Sequence, residues 1–190
     1  MKKRILIYFL ILFTAHININ AQNPISFFEE HIDFKLDSNF FSINAIYSFF
    51  NHSDQIVSRQ IIFPFAVNTK LIDTIKILDL NSQKLISYNL MIDAVSFNIT
   101  IRPKDTLDVN IFYRQKISDK NTYILTTTQM WGNLLDNASY TLITPKEMAI
   151  NSFSYIPDSV KVVGNNSLYK WERHLFSPKV DFDIIIGKMK

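Results

Sequence analysis

The stretch Val95-Ser96-Phe97-Asn98-Ile99-Thr100-Ile101, followed after a Pro-containing turn by Leu107-Asp108-Val109-Asn110-Ile111-Phe112-Tyr113, decides the class of fold. Apolar side chains stand at every second position of both runs, the spacing at which residues on one face of a β-strand recur. Ser96, Asn98, Thr100, Asp108 and Asn110 fill the positions between, so each strand has one face for a core and one for water. Val180, Phe182, Ile184 and Ile186 repeat the pattern around Asp181 and Asp183. Ile32, Phe34 and Leu36 repeat it again, and after an Asp37-Ser38-Asn39 turn so do Phe41, Ile43, Ala45, Tyr47 and Phe49.

Working outward, residues 56–63, 71–80, 84–91, 123–128, 138–144, 160–163 and 168–175 read as further strands. Clusters of Asn, Asp, Ser and Pro at 51–55, 81–83, 103–106, 118–122 and 164–167 supply the connections, so having only three glycines is no obstacle. Thr144-Pro145-Lys146-Glu147 fits a capping box with Pro at the first helical position, which predicts one short helical turn over 145–151. The expected fold is a single all-β domain, an antiparallel two-sheet β-sandwich, Ig-like or jelly-roll-like, of roughly nine to twelve strands.

The first residues speak to location. Lys2, Lys3 and Arg4 precede the apolar run Ile5 to Phe13, and Ala21 before Gln22 supplies a small-residue cleavage point, the pattern of a secretory signal peptide. The apolar run is far shorter than the ~20 residues a membrane span needs. The sequence therefore predicts a cleaved signal peptide at 1–21, an exported mature chain at 22–190, and a periplasmic or extracellular location. Three of the 20 basic residues lie in that segment and none of the 17 acidic ones, so the mature chain carries 17 of each sign. The whole-chain pI of about 9.0 thus lends no support to a nucleic-acid partner. Cysteine is absent, which removes disulfides, thiolate metal sites and a Cys nucleophile from consideration.

Candidate chemistry is sparse. His31, His52 and His174 have no His-x-His or His-Glu-x-x-His spacing, and the glycines stand too far apart for a nucleotide loop or a nucleophile elbow, so no cofactor is expected. Glu29-Glu30-His31 reads as a solvated strand end, with Glu29 and His31 sharing a face. Asp181 and Asp183 are the carboxylate pair that two-residue spacing puts on one polar face, the metal candidates; with His174 or Glu172 they define a hydrolase alternative. Trp131, Trp171 and Tyr169 are the candidate ligand-binding aromatics, the other role open to each being core or edge packing.

Tyr47-x-Phe49-x-Asn51, Phe63-Pro64, Tyr123, Trp131, Pro145, Tyr169-x-Trp171, Phe176-x-Pro178 and Asp181 to Ile185 together resemble uncharacterised bacterial exported domains of all-β sandwich fold. The resemblance touches most of the mature chain, implies the same fold, and brings no catalytic residues. The expected function is a non-enzymatic extracytoplasmic module recognising an envelope protein or a glycan. A subunit assembling by strand addition is a further alternative.

Overall fold

The computed structural model describes residues 23–187. The expected signal peptide lies outside the described residues. Strands β1 (Ile25–Leu36) and β2 (Phe40–Asn51) form a hairpin about the expected turn, where Asp37 Oδ1 accepts from the Asn39 and Phe40 amides, both at 2.8 Å. There follow β3 (Val57–Pro64), β4 (Ile72–Asp79), β5 (Lys84–Leu85), β6 (Tyr88–Leu90), β7 (Ala94–Ile101) and β8 (Thr106–Lys116). The second half supplies β9 (Lys120–Tyr123), β10 (Leu135–Pro145), β11 (Ile150–Phe153), β12 (Ser159–Val163), β13 (Asn166–Phe176) and β14 (Phe182–Ile186). The protein is all-β, and its helical content among the described residues is two 3₁₀ segments, Thr69–Leu71 and Thr126–Trp131.

Eight strands make one large sheet in the order β12-β13-β10-β1-β2-β8-β4-β5, and two three-stranded sheets, β11-β14-β9 and β3-β7-β6, complete the fold. Pairing is antiparallel except at β1–β10, which run parallel with Ile32 opposite Tyr140 and Phe34 opposite Leu142. The two small sheets cover one face of the large one. On one side Phe182 of β14 stacks on Phe34 at 4.9 Å between ring centres and meets the Trp171 ring edge-on at 5.0 Å. On the other side Phe63 of β3 packs against Tyr47 and Tyr113, with Phe65 4.8 Å from Tyr113. These contacts belong to one continuous buried cluster spanning both layers, and fully burying each such side chain contributes roughly 1.5–3 kcal/mol.

Four local expectations are corrected. The connection expected at 118–122 contains β9, and the strand expected at 123–128 gives way after Tyr123 to the 3₁₀ segment Thr126–Trp131. The chain at 84–91 is two short strands, because it leaves the large sheet after β5 and joins a small sheet as β6. Residues 145–151 hold no helix. Pro145 is the last residue of β10, paired with Asn166, and the ladder to β13 prevails over the capping pattern; a tight turn follows, in which the Met148 amide donates to Pro145 O at 3.0 Å. After that turn the chain re-enters a sheet as β11, so the described strands number fourteen.

Asn51 joins the layers. It is fully enclosed, its Oδ1 accepting from the Ser53 amide at 2.9 Å and its Nδ2 lying 2.8 Å from Gln55 O, 3.1 Å from Ile101 O and 2.9 Å from Arg102 O. The end of β2 in the large sheet is thereby tied to the end of β7 in a small one. Asn51→Ala strands these carbonyls without a donor and is expected to lower unfolding stability by about 2–3 kcal/mol in urea titrations.

Candidate functional site

The two small sheets do not meet. Between the edge of β3 and the end of β9 with the following 3₁₀ segment lies a cavity of about 500 Å³, floored by β1, β2 and β8 of the large sheet. Its lining is mainly apolar, with Phe27, Tyr47, Phe49, Val109 and Ile111 below. Six consecutive residues, Arg59 to Pro64, border one side. Successive side chains of a strand point to opposite faces, so an unbroken run means that β3 presents its free edge to the cavity. Exposed Ile62 and Met130 mark the opening.

The opposite wall is built by Thr126–Trp131. Asp181 Oδ1 caps this segment, accepting from the Leu125 amide at 3.1 Å, the Thr126 amide at 3.0 Å and Thr126 Oγ1 at 2.7 Å. Gly132 ends it with a φ of 76°, a left-handed conformation natural to glycine, and bonds back to Gln129 O. Asn133 Nδ2 then donates to Phe27 O at 2.6 Å and fastens the wall to β1. Trp131 comes to rest against Phe27 and Phe49, with the Arg59 guanidinium 4.3 Å over its ring.

Glu30 sits on the floor, and its position is a product of backbone irregularity. The β1–β2 register steps from Phe27↔Phe49 to Glu29↔Ser48, leaving Phe28 as the extra residue of a bulge. Ile25 and Phe27 face inward before the bulge; Glu30, Ile32, Phe34 and Leu36 face inward after it. Glu30 is 2% exposed, and Tyr140 donates its hydroxyl hydrogen to Oε1. Burial pushes the Glu30 carboxyl up to about 7, only partly offset by the Tyr140 hydrogen bond. Nearby, the Tyr47 and Tyr123 hydroxyls bond each other at 2.6 Å. The solvated strand end expected for Glu29 to His31 is therefore corrected: Glu29 and His31 lie on the outer face as expected, His31 bonded to Ser139 at 2.6 Å, but Glu30 turns into the protein.

Of the three candidate ligand-binding aromatics, Trp131 alone lines the cavity. Trp171 is 0% exposed, its Nε1 donating to Tyr155 O at 2.9 Å and its ring enclosed by Phe153, Tyr169 and Phe182, so its part is core packing. Tyr169 lies half-buried beside it, away from the cavity lining.

The carboxylate pair separates into two structural roles. Partial burial opposes ionisation of Asp181, but the bonds from Thr126 and Leu125 outweigh it and hold the carboxyl below its usual range. Asp183 accepts from Thr122 Oγ1 at 2.7 Å and pairs with Lys120 at 2.9 Å. His174 bonds Asn137 and, with Glu172, occupies the face of β13 opposite Trp171, in the other layer from Asp183. The hydrolase constellation is thus not assembled. No group of three His, Asp or Glu side chains placed to hold a metal occurs among the described residues, and none of their helices is long and apolar enough to cross a membrane.

Neither a known protein family nor a curated protein matches the sequence. Solved structures share the fold. A candidate nutrient-binding protein of Legionella pneumophila superposes with a TM-score of 0.71 at 14% identity, over 87% of this chain and 67% of its own. An M1 zinc metallopeptidase of Deinococcus radiodurans superposes with a TM-score of 0.53 at 8% identity, over 86% of this chain and 42% of its own. A mutant of that peptidase bound to a Tyr-Ser-Ala substrate gives 0.52 at 8% identity, with 87% and 43% covered. The chain therefore spans about two-fifths of the peptidase chains. At such identities the likeness is one of fold.

Glu30 also shapes stability. Its native carboxyl holds a proton up to about 7, whereas the unfolded one releases it near 4.5. Between those values the native state binds more protons, so the contribution of Glu30 to stability is fully present below 4.5 and is lost as pH rises through 7. Glu30→Gln is expected to flatten this fall in denaturation curves between pH 5 and 8 and to be the more stable protein at pH 8. Trp171→Ala, by contrast, should lose about 3–5 kcal/mol of unfolding stability at any pH, measured by the same titrations.

Proposed function

We propose that the protein is an exported, non-enzymatic binding module whose small ligand occupies the seam between the two small sheets. The cavity carries this reading: its size is that of a small-molecule site, its walls are apolar and aromatic, and few polar groups converge in it. A glycan would ask for a surface dense in hydrogen-bonding side chains, so the lining favours a ligand with an apolar body over the glycan expected from sequence. The fold shared with a candidate nutrient-binding protein supports the same direction. The signal-peptide pattern at 1–21 supports a location outside the cytoplasm.

Calorimetric titration of residues 22–190 with 4-phenylbutan-1-ol tests the site. Saturable one-to-one binding is expected, abolished by Ile61→Trp, whose larger side chain fills the seam. Binding that survives this substitution in a folded variant refutes the assignment. For export, mass spectrometry of the protein recovered from its own cells should find Gln22 as the first residue; an intact Met1 would refute cleavage.

A further inference from the structure

An apolar cavity has no need of a carboxyl group on its floor. Burying one opposes ionisation, and glutamine would accept the same Tyr140 bond without that cost. Tyr140 satisfies Oε1, and no other group among the described residues bonds the Glu30 carboxyl. Gln115 Oε1 is the sole sealed side-chain oxygen or nitrogen without a partner among those residues. Glu30 Oε2 is therefore not walled in by protein; it opens on the cavity that Glu30 lines.

The surroundings select what can meet that oxygen. Arg59 is the one cation among the lining residues, and it is held at the rim over the Trp131 ring. Beside Glu30 stand the rings of Phe27, Tyr47 and Phe49, the first within 5.8 Å and 5.3 Å of the other two, centre to centre. Aromatic faces attract cations, more so where water is excluded. The hydroxyl oxygens of Tyr47 and Tyr123, bonded to each other, retain lone pairs for an incoming N–H. A carboxyl with one open oxygen, ring faces and phenol acceptors, with no cation in the depth, is complementary to an ammonium group. A ligand carboxylate in the same place would face Glu30 itself.

We propose that the ligand carries a primary ammonium on an apolar or aromatic body and enters ammonium first, with Glu30 as its counter-ion. This rests on the seam cavity being the binding site. The pH dependence follows from one titration. The phenols packed around Glu30, Tyr140 from β10, Tyr47 from β2 and Tyr123 from β9, are all pushed above their ordinary range by burial and stay neutral. A primary amine stays protonated to about pH 10. Glu30 changes state near neutrality, and it must be ionised to pair.

Three probes of one shape separate the possibilities: 4-phenylbutan-1-amine, 4-phenylbutan-1-ol and 4-phenylbutanoate, titrated calorimetrically into residues 22–190 from pH 5.5 to 8.5. At pH 8 the amine is expected to bind at least tenfold tighter than the alcohol, an advantage that fades below pH 7 by about tenfold per unit. Glu30→Gln, shown folded by its circular dichroism and melting, should bring the amine down to the level of the alcohol. If the alcohol binds and the amine is no tighter at any pH, or the butanoate is tightest, the ammonium assignment is wrong while the cavity stands. If none of the three binds, the cavity reading itself fails and takes this one with it.

Discussion

Everything in this protein depends on covering one aromatic face of an eight-stranded sheet with two separate pieces. Phe182 against Phe34, Tyr140 and Trp171 fixes one piece; Phe63 and Phe65 against Tyr47 and Tyr113 fixes the other. A single covering sheet would hydrogen-bond continuously across the layer and close it. Two pieces with unpaired facing edges leave a seam, and rings too large to slide keep it open. The cavity is thus a consequence of how the core is packed rather than an addition to it.

The same packing explains why one acid is tolerated inside. Glu30 is held on three sides by elements fixed for other reasons: the bulge at Phe28 turns it inward, the parallel ladder to β10 brings Tyr140 within reach, and the wall segment closes above. Asp181 contributes indirectly. As a cap it anchors the segment that carries Trp131, so a residue that looks like a metal ligand in the sequence is a support for the pocket wall.

The strands were legible in the sequence because their alternation is clean. Ile99 and Val109 face the core as the period-two reading requires, and the Asp37 turn forms where expected. What escaped were features set by partners distant in the chain. The parallel β1–β10 pairing has no local signal, and the capping box at Thr144 lost to the β13 ladder. Glu30 did leave a trace. Ile25 and Phe27 are odd-numbered, whereas Ile32, Phe34 and Leu36 alternate on a phase that, carried back, lands on residue 30. A change of phase inside one strand means a bulge, and here it aims the acid inward. The cavity had no such trace, since a gap between two sheets appears only when both are placed.

The central position of β1 carries a consequence for the order of folding. It lies between β2, its immediate neighbour in the chain, and β10, with Glu29 opposite Asn137 across the parallel ladder. As the chain emerges from a ribosome or a translocation pore, β1 and β2 can pair early, but the other margin of β1 stays open until its partners in β10, each more than a hundred positions further along the chain, have appeared. Throughout that interval an open strand margin and a bare aromatic face are presented together, the combination most prone to capture by another chain. The large sheet therefore closes late: β10 covers the open margin of β1, and β11 to β14, which follow it in the chain, complete the two layers.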